Sequence, residues 1–238
     1  MSVVPASFRS RVRAGVEPIA RLFGRVGLTP NMLTLIGFAI AVVGACLAAT
    51  QAWLLAGLVV AFGAIFDLFD GALARATNQT SNFGAFLDST MDRAGEAVVY
   101  IGIAAGCLAG DFDIGAVLSA TALAASFLVS YTRAKSESLG FSSGTGMASV
   151  GVAPREIRTV LLVLALIAVA FAGPIGPWAF TCPGDQLVLC LNGGHFRSGD
   201  IVLGGGLGLI TVLATLTTIQ RILFTYNQSK SNHQEVNH

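Results

Sequence analysis

Five acidic residues crowd into one stretch of a weakly charged chain: Asp67, Asp70, Asp88, Asp92 and Glu96. Asp67 and Asp70 are three apart, Asp88 and Asp92 four apart, so on helices each pair shares a face. An ionisable group at membrane depth costs on the order of 2.5–3.5 kcal/mol and usually marks function. Carboxylates that converge repel one another and need a compensating cation. A site of oxygen ligands favours hard ions such as Mg²⁺, Mn²⁺ or Ca²⁺ over zinc. The histidines, His195, His233 and His238, form no metal-ligand pattern. A structural salt-bridge cluster with Arg75 and Arg93 is the plain alternative, but two arginines cannot neutralise five acids. An ion-transport site is another. Against it, the acids lie near one membrane face, and no half-helix interruption marks a transport path.

The elements that carry these acids follow from composition. The chain has 238 residues, 54% hydrophobic and 11% charged, with a mean hydropathy of +0.73. A soluble domain is about 25% charged, so this is an all-α membrane protein, and its 28 glycines suit close helix packing in lipid. A spanning helix needs about 20 apolar residues. Six such runs occur, near 32–51, 53–71, 89–109, 114–132, 159–179 and 201–221. The first two are separated only around Thr50–Trp53 and form a tight hairpin. Residues 1–27, with arginines between apolar positions, read as an amphipathic helix lying on the cytoplasmic membrane surface. Residues 28–225 form the six-helix domain, and 226–238 a polar cytoplasmic tail expected to fray. With a cytoplasmic N-terminus, every Lys and Arg except Arg197 falls inside, which sets the orientation in a cell membrane. Cys46 and Cys107, inside apolar runs, read as core residues; a Cys182–Cys190 disulfide stays open. The net charge of +1 gives no support for nucleic-acid binding.

The stretch Asp67-Leu-Phe-Asp70-Gly71-Ala-Leu-Ala74-Arg75, then eight residues, then Gly84-Ala-Phe-Leu-Asp88-Ser-Thr-Met-Asp92 resembles the signature of the CDP-alcohol phosphotransferase family at each fixed position and spacing. The six-span layout and the segment Leu28-Thr29-Pro30-Asn31 are similar as well. The resemblance covers nearly the whole chain except the 180–200 loop. It implies a transferase that moves a lipid phosphoryl group from a CDP-linked lipid to a small polar alcohol, releasing CMP. It also implies a homodimer among membrane lipids.

By that resemblance Asp67, Asp70 and Asp88 hold Mg²⁺ or Mn²⁺ on the pyrophosphate, and Asp92 is the general base on the acceptor hydroxyl. Asn31, Thr34, Gly71, Ala74, Arg75 and Gly84, together with Asp67 and Asp70, would bind the nucleotide. The glycines would allow close backbone approach. Glu96 continues the Asp88/Asp92 face. For the acceptor, Arg133 and Lys135 follow the fourth run, Arg155 and Arg158 open the fifth, and Arg221 ends the sixth. Such groups can simply snorkel or meet anionic lipid, but together they suggest a phosphorylated alcohol. The pattern is most similar to the phosphatidylinositol-phosphate synthases and their archaeal counterparts, which implies inositol phosphate. Glycerol 3-phosphate, giving phosphatidylglycerol phosphate, is the nearest rival.

Overall fold

The computed structural model describes residues 22–25, 27–77, 79–141, 150–176 and 197–236, without the side chains of Leu68, Asp70 and 231–236. Six long helices occur in order among them: α1 (Pro30–Ala49), α2 (Trp53–Ala76), α3 (Asn82–Ala109), α4 (Asp113–Ser138), α5 (Arg155–Ala172) and α6 (Ser198–Val236). The described residues contain no strand. Four helices are long and apolar enough to cross a membrane: α1, α2, α4 and α6 as far as Lys230. The other two carry charge near their starts, Asp88, Asp92, Arg93 and Glu96 on α3 and Arg155, Glu156 and Arg158 on α5. Large apolar side chains such as Val43, Leu55, Phe62, Leu128, Leu164 and Val212 are exposed. An outward face of this kind is what a bilayer solvates, so the chain is a multi-pass membrane protein.

The chain folds as two compact units, 1–110 and 111–238. In the first, α1 packs against both α2 and α3. The turn between α1 and α2 is as tight as expected. Gln51 takes a left-handed φ of 61°, its N–H reaches back to the Ala48 carbonyl at 2.9 Å, and Trp53 is buried behind it. Small residues set how closely the helices approach. A Cβ at Gly44 would lie 2.9 Å from Val60 Cγ2 of α2. On α3, a Cβ at Gly102 or Gly106 would collide with the carbonyl oxygens of Ala45 and Ala48 on α1. A turn of helix at 22–25 precedes α1. Its Phe23 ring lies 5.7 Å from Phe69 and 6.2 Å from Phe66 of α2. The remainder of the expected surface helix lies outside the described residues, as do Cys182, Cys190 and the 180–196 part of the loop.

In the second unit, α6 packs against α4 and α5. Ala125 and Val129 of α4 bury against Ala214 of α6. Asp200, in the first turn of α6, accepts from the backbone N–H groups of Gly176 (3.0 Å) and Arg197 (3.1 Å), which ties the end of the α5 region to α6. Helix α6 runs on to Val236, through the segment expected to fray. One expectation is corrected. Cys107 is buried, but Cys46 is exposed, because α1 buries Gly44, Ala45 and Ala48 and position 46 points away from that face.

Gly102→Val is expected to force α1 and α3 apart, an overpacking penalty of about 1–3 kcal/mol. Gly205→Ala, where a Cβ meets nothing within 4 Å, should leave stability unchanged or raise it. The melting temperatures of the two purified variants in detergent check this.

Candidate active site

Three helix ends of the first unit enclose the site, and each is fixed locally. Helix α1 starts with Thr29 as its cap, whose Oγ1 accepts from Met32 N–H at 3.3 Å, and with Pro30 at its first position. This puts Asn31 and Thr34 on the first turn, Thr34 buried with its hydroxyl donating to the Pro30 carbonyl at 3.2 Å. Helix α2 brings Gly71, Ala74 and Arg75 on its last turns. Helix α3 starts at a second cap, Ser81, whose Oγ accepts from Gly84 N–H at 2.9 Å.

Between these ends lies a cleft of about 200 Å³ lined by Asn31, Thr34, Gly71, Ala74, Arg75, Gly84 and Asp88. Six of the residues that the sequence assigns to the nucleotide, Asn31, Thr34, Gly71, Ala74, Arg75 and Gly84, therefore border one space. The absent side chains of the two glycines matter here. A Cβ on Gly84 would lie 3.1 Å from Ser81 Oγ and 3.4 Å from Asn31 Oδ1, and one on Gly71 3.3 Å from an Arg75 guanidinium nitrogen. Gln79, Thr80 and Ser81 also line the cleft, and sequence reasoning missed them. Ser81, just ahead of an apolar helix, carried a capping signal that could have found it.

Asp67, Asp88 and Asp92, all half-buried, each offer a carboxylate oxygen, and these oxygens lie within 4.8 Å of one another. An octahedral ion with bonds of about 2.0–2.1 Å spreads its ligand oxygens up to roughly 4.2 Å apart. The three carboxylates are thus close to coordinating distance, and an all-oxygen donor set fits Mg²⁺ or Mn²⁺. Asp70 sits on α2 three residues after Asp67, with its side chain outside what is described. Asp92, expected one turn beyond the metal ligands, stands among the clustered carboxylates. Part of the salt-bridge alternative is present too. Arg93 Nη1 donates to Glu96 Oε2 at 2.7 Å and Nη2 stands 4.0 Å from Asp92 Oδ2.

The basic residues proposed for the acceptor all belong to the second unit. Lys135 is exposed, and Arg133, half-exposed, pairs with Glu137 at 2.9 Å. Arg155 is half-buried on the first turn of α5. Arg158 is 1% exposed and donates to the Ala153 carbonyl at 3.1 Å. Arg221 is 4% exposed. Its Nε donates to the Val150 carbonyl at 3.0 Å and its Nη1 to the Val129 carbonyl. The charges of Arg133, Arg158 and Glu137 all act on Arg221, so these groups form one cluster of net positive charge.

The family model for CDP-alcohol phosphatidyltransferases matches residues 27–190. The chain belongs to that family. An archaetidylinositol phosphate synthase of Pyrococcus horikoshii is 38% identical over 160 residues, 67% of this chain and 80% of that protein. A phosphatidylinositol phosphate synthase of Streptomyces avermitilis is 33% identical over 218 residues, 90% of this chain and 79% of that one. The crystal structure of Mycobacterium tuberculosis phosphatidylinositol phosphate synthase with CDP-DAG bound is similar with a TM-score of 0.69 at 27% identity, covering 89% of this chain and 93% of that one. The same protein in complex with manganese and citrate also gives a TM-score of 0.69, covering 89% of this chain and 88% of that one. The chain is accordingly a divalent-metal-dependent transferase of the CDP-alcohol phosphatidyltransferase family.

Asp67→Asn and Asp88→Asn are each expected to weaken Mn²⁺ binding by more than the about 10- to 100-fold that loss of an outer-shell partner costs. Electron paramagnetic resonance titration of Mn²⁺ into the purified protein, without lipid substrate, reads this directly.

Proposed function

We propose that this chain transfers the phosphatidyl or archaetidyl group of a CDP-linked lipid to a hydroxyl of inositol phosphate, releasing CMP. The observation that carries the reading is that the carboxylate cluster sits on two of the three helices that line the nucleotide-type cleft, with Asp88 belonging to both. The acceptor assignment rests on the basic cluster of the second unit. The names of the relatives, inositol phosphate synthases of archaea and bacteria, agree with it.

In the reaction, the acceptor hydroxyl oxygen forms a bond to the lipid-linked phosphorus, and the bond from that phosphorus to the oxygen of the CMP phosphate breaks. Asp92 takes the hydroxyl proton as general base. Mg²⁺ or Mn²⁺ held by Asp67, Asp70 and Asp88 would supply charge stabilisation to the pyrophosphate oxygens. Asn31, Thr34, Ala74 and Gly84 bound the space for the cytidine. Arg75, with its guanidinium beside Gly71, binds a nucleotide phosphate. Arg133, Lys135, Arg155, Arg158 and Arg221 offset the charge of the acceptor's own phosphate.

The same proposal places six spans in the membrane. Helices α3 and α5 then cross with their charged starts at the cytoplasmic interface, where the positive-inside rule puts both termini. Residues 1–27 lie on that surface, 28–225 form the catalytic domain, 226–238 extend into the cytoplasm, and two copies associate as a homodimer.

The test is CMP release by purified protein with CDP-diacylglycerol or its ether-linked analogue, Mn²⁺ or Mg²⁺, and inositol 1-phosphate, glycerol 3-phosphate, inositol or serine. Metal-dependent release with inositol 1-phosphate is expected, and Asp92→Asn should lower kcat by roughly 10²- to 10⁴-fold. Release with glycerol 3-phosphate alone would reassign the acceptor. No release with any pair would overturn the reading.

A further inference from the structure

The stretch that leads into α5, residues 150–154, has no regular structure of its own, so its backbone groups need partners from elsewhere. Helix α6 supplies them. Thr217 Oγ1 accepts from Ala153 N–H at 3.0 Å, Gln220 Oε1 accepts from Val152 N–H at 3.0 Å, and Arg221 Nε donates to the Val150 carbonyl at 3.0 Å. Positions 217, 220 and 221 follow the i, i+3, i+4 spacing of one helix face, so the stretch lies along α6 as a strap.

Gly151 shows how close the strap lies. Its φ is +119°, in the region that favours glycine, and a Cβ there would collide with the Thr217 methyl. The N-cap of α5 is Pro154, with no side-chain cap hydrogen bond. Arg158, one turn into α5, reaches back to the Ala153 carbonyl at 3.1 Å. The α6 side chains that hold the strap thus help to place the first turn of α5 and the cations on it.

We propose that Thr217 and Gln220 are positioning residues for acceptor recognition: by holding the 150–153 strap they fix Arg155 and Arg158 where an anionic acceptor meets them. This rests on the reading of Arg155 and Arg158 as acceptor-binding. Neither Thr217 nor Gln220 needs to touch the acceptor. The hydrogen bond of Gln220 is exposed and lies toward the end of α6 that the proposed orientation puts at the cytoplasmic interface, so water replaces it there and its loss hardly changes global stability. What its loss changes is the freedom of Val152 and the start of α5.

The experiment measures CMP release by the full-length protein carrying Gln220→Met, Thr217→Val or Thr217→Ser, titrating acceptor and CDP-lipid separately and recording the melting temperature. A hydrogen bond contributes about 0.5–1.5 kcal/mol net, so Gln220→Met and Thr217→Val should each raise the acceptor KM about threefold to tenfold. The KM for CDP-lipid and kcat should stay within about twofold in those variants, since neither side chain is placed on the donor or the reacting atoms. Thr217→Ser, which keeps the hydroxyl, should restore the acceptor KM. An unchanged acceptor KM in Gln220→Met, or equal changes for donor and acceptor that follow the melting temperature, would overturn the proposal. If the unaltered protein uses a phosphorylated acceptor other than inositol phosphate, a selective rise in that acceptor's KM upholds the positioning role while the acceptor identity falls. Use of an uncharged acceptor alone would overturn both.

Discussion

Three carboxylates whose oxygens lie within 4.8 Å of one another are the constraint around which the first unit is built. At that separation two unit charges repel by about 3.5 kcal/mol at an effective dielectric of 20. The arrangement persists only with positive charge supplied to it and a scaffold stiff enough to hold the helices together. Part of the scaffold is the close approach of α3 to α1 at Gly102 and Gly106. Another part is the tight α1–α2 turn, and a third is the pair of serine and threonine caps that start α1 and α3. Binding a divalent ion turns the repulsion into affinity, so the same crowding favours a hard dication over a monovalent one.

The second unit solves a related problem with the opposite charge. Arg158 and Arg221 are buried, which is costly for a guanidinium without partners. Backbone carbonyls at Val129, Val150 and Ala153 accept from them. A carbonyl leaves the full positive charge in place, whereas a carboxylate would cancel it. Arg133 is the contrast: it is half-exposed and paired with Glu137, an arrangement that contributes little to stability. Buried arginines held by carbonyls anchor the chain, and here the anchored segment is the one that opens α5.

Much of this was legible beforehand, and the particular residues show why. The spacing of Asp88 and Asp92 survives translation into a helix face because helical periodicity is local. The same locality placed Gly71, Ala74, Arg75 and Gly84 beside them. The hairpin at Thr50–Trp53 was visible as a break between two apolar runs. Apolarity alone misjudged the ends of the elements. Helix α3 begins at Asn82 rather than near 89, and α2 runs to Ala76 rather than 71, because polar residues continue a helix once capping and packing support it. The side on which Cys46 lies was also hidden, since an all-round apolar helix gives no pattern to say which face is covered.

The sequence by itself determined the class of membrane fold, the set of acids and the nucleotide-type residues near them, because each depends on composition or on spacings of a few residues. Tertiary structure alone decided three things. It set the carboxylate oxygens of Asp67, Asp88 and Asp92 within 4.8 Å of one another, added Gln79, Thr80 and Ser81 to the cleft, and laid the 150–153 strap on Thr217 and Gln220. Each of these joins elements whose mutual position is set by packing rather than by helical period. The strap lies more than sixty residues from its partners in the chain, and no local propensity encodes a hydrogen bond across that distance.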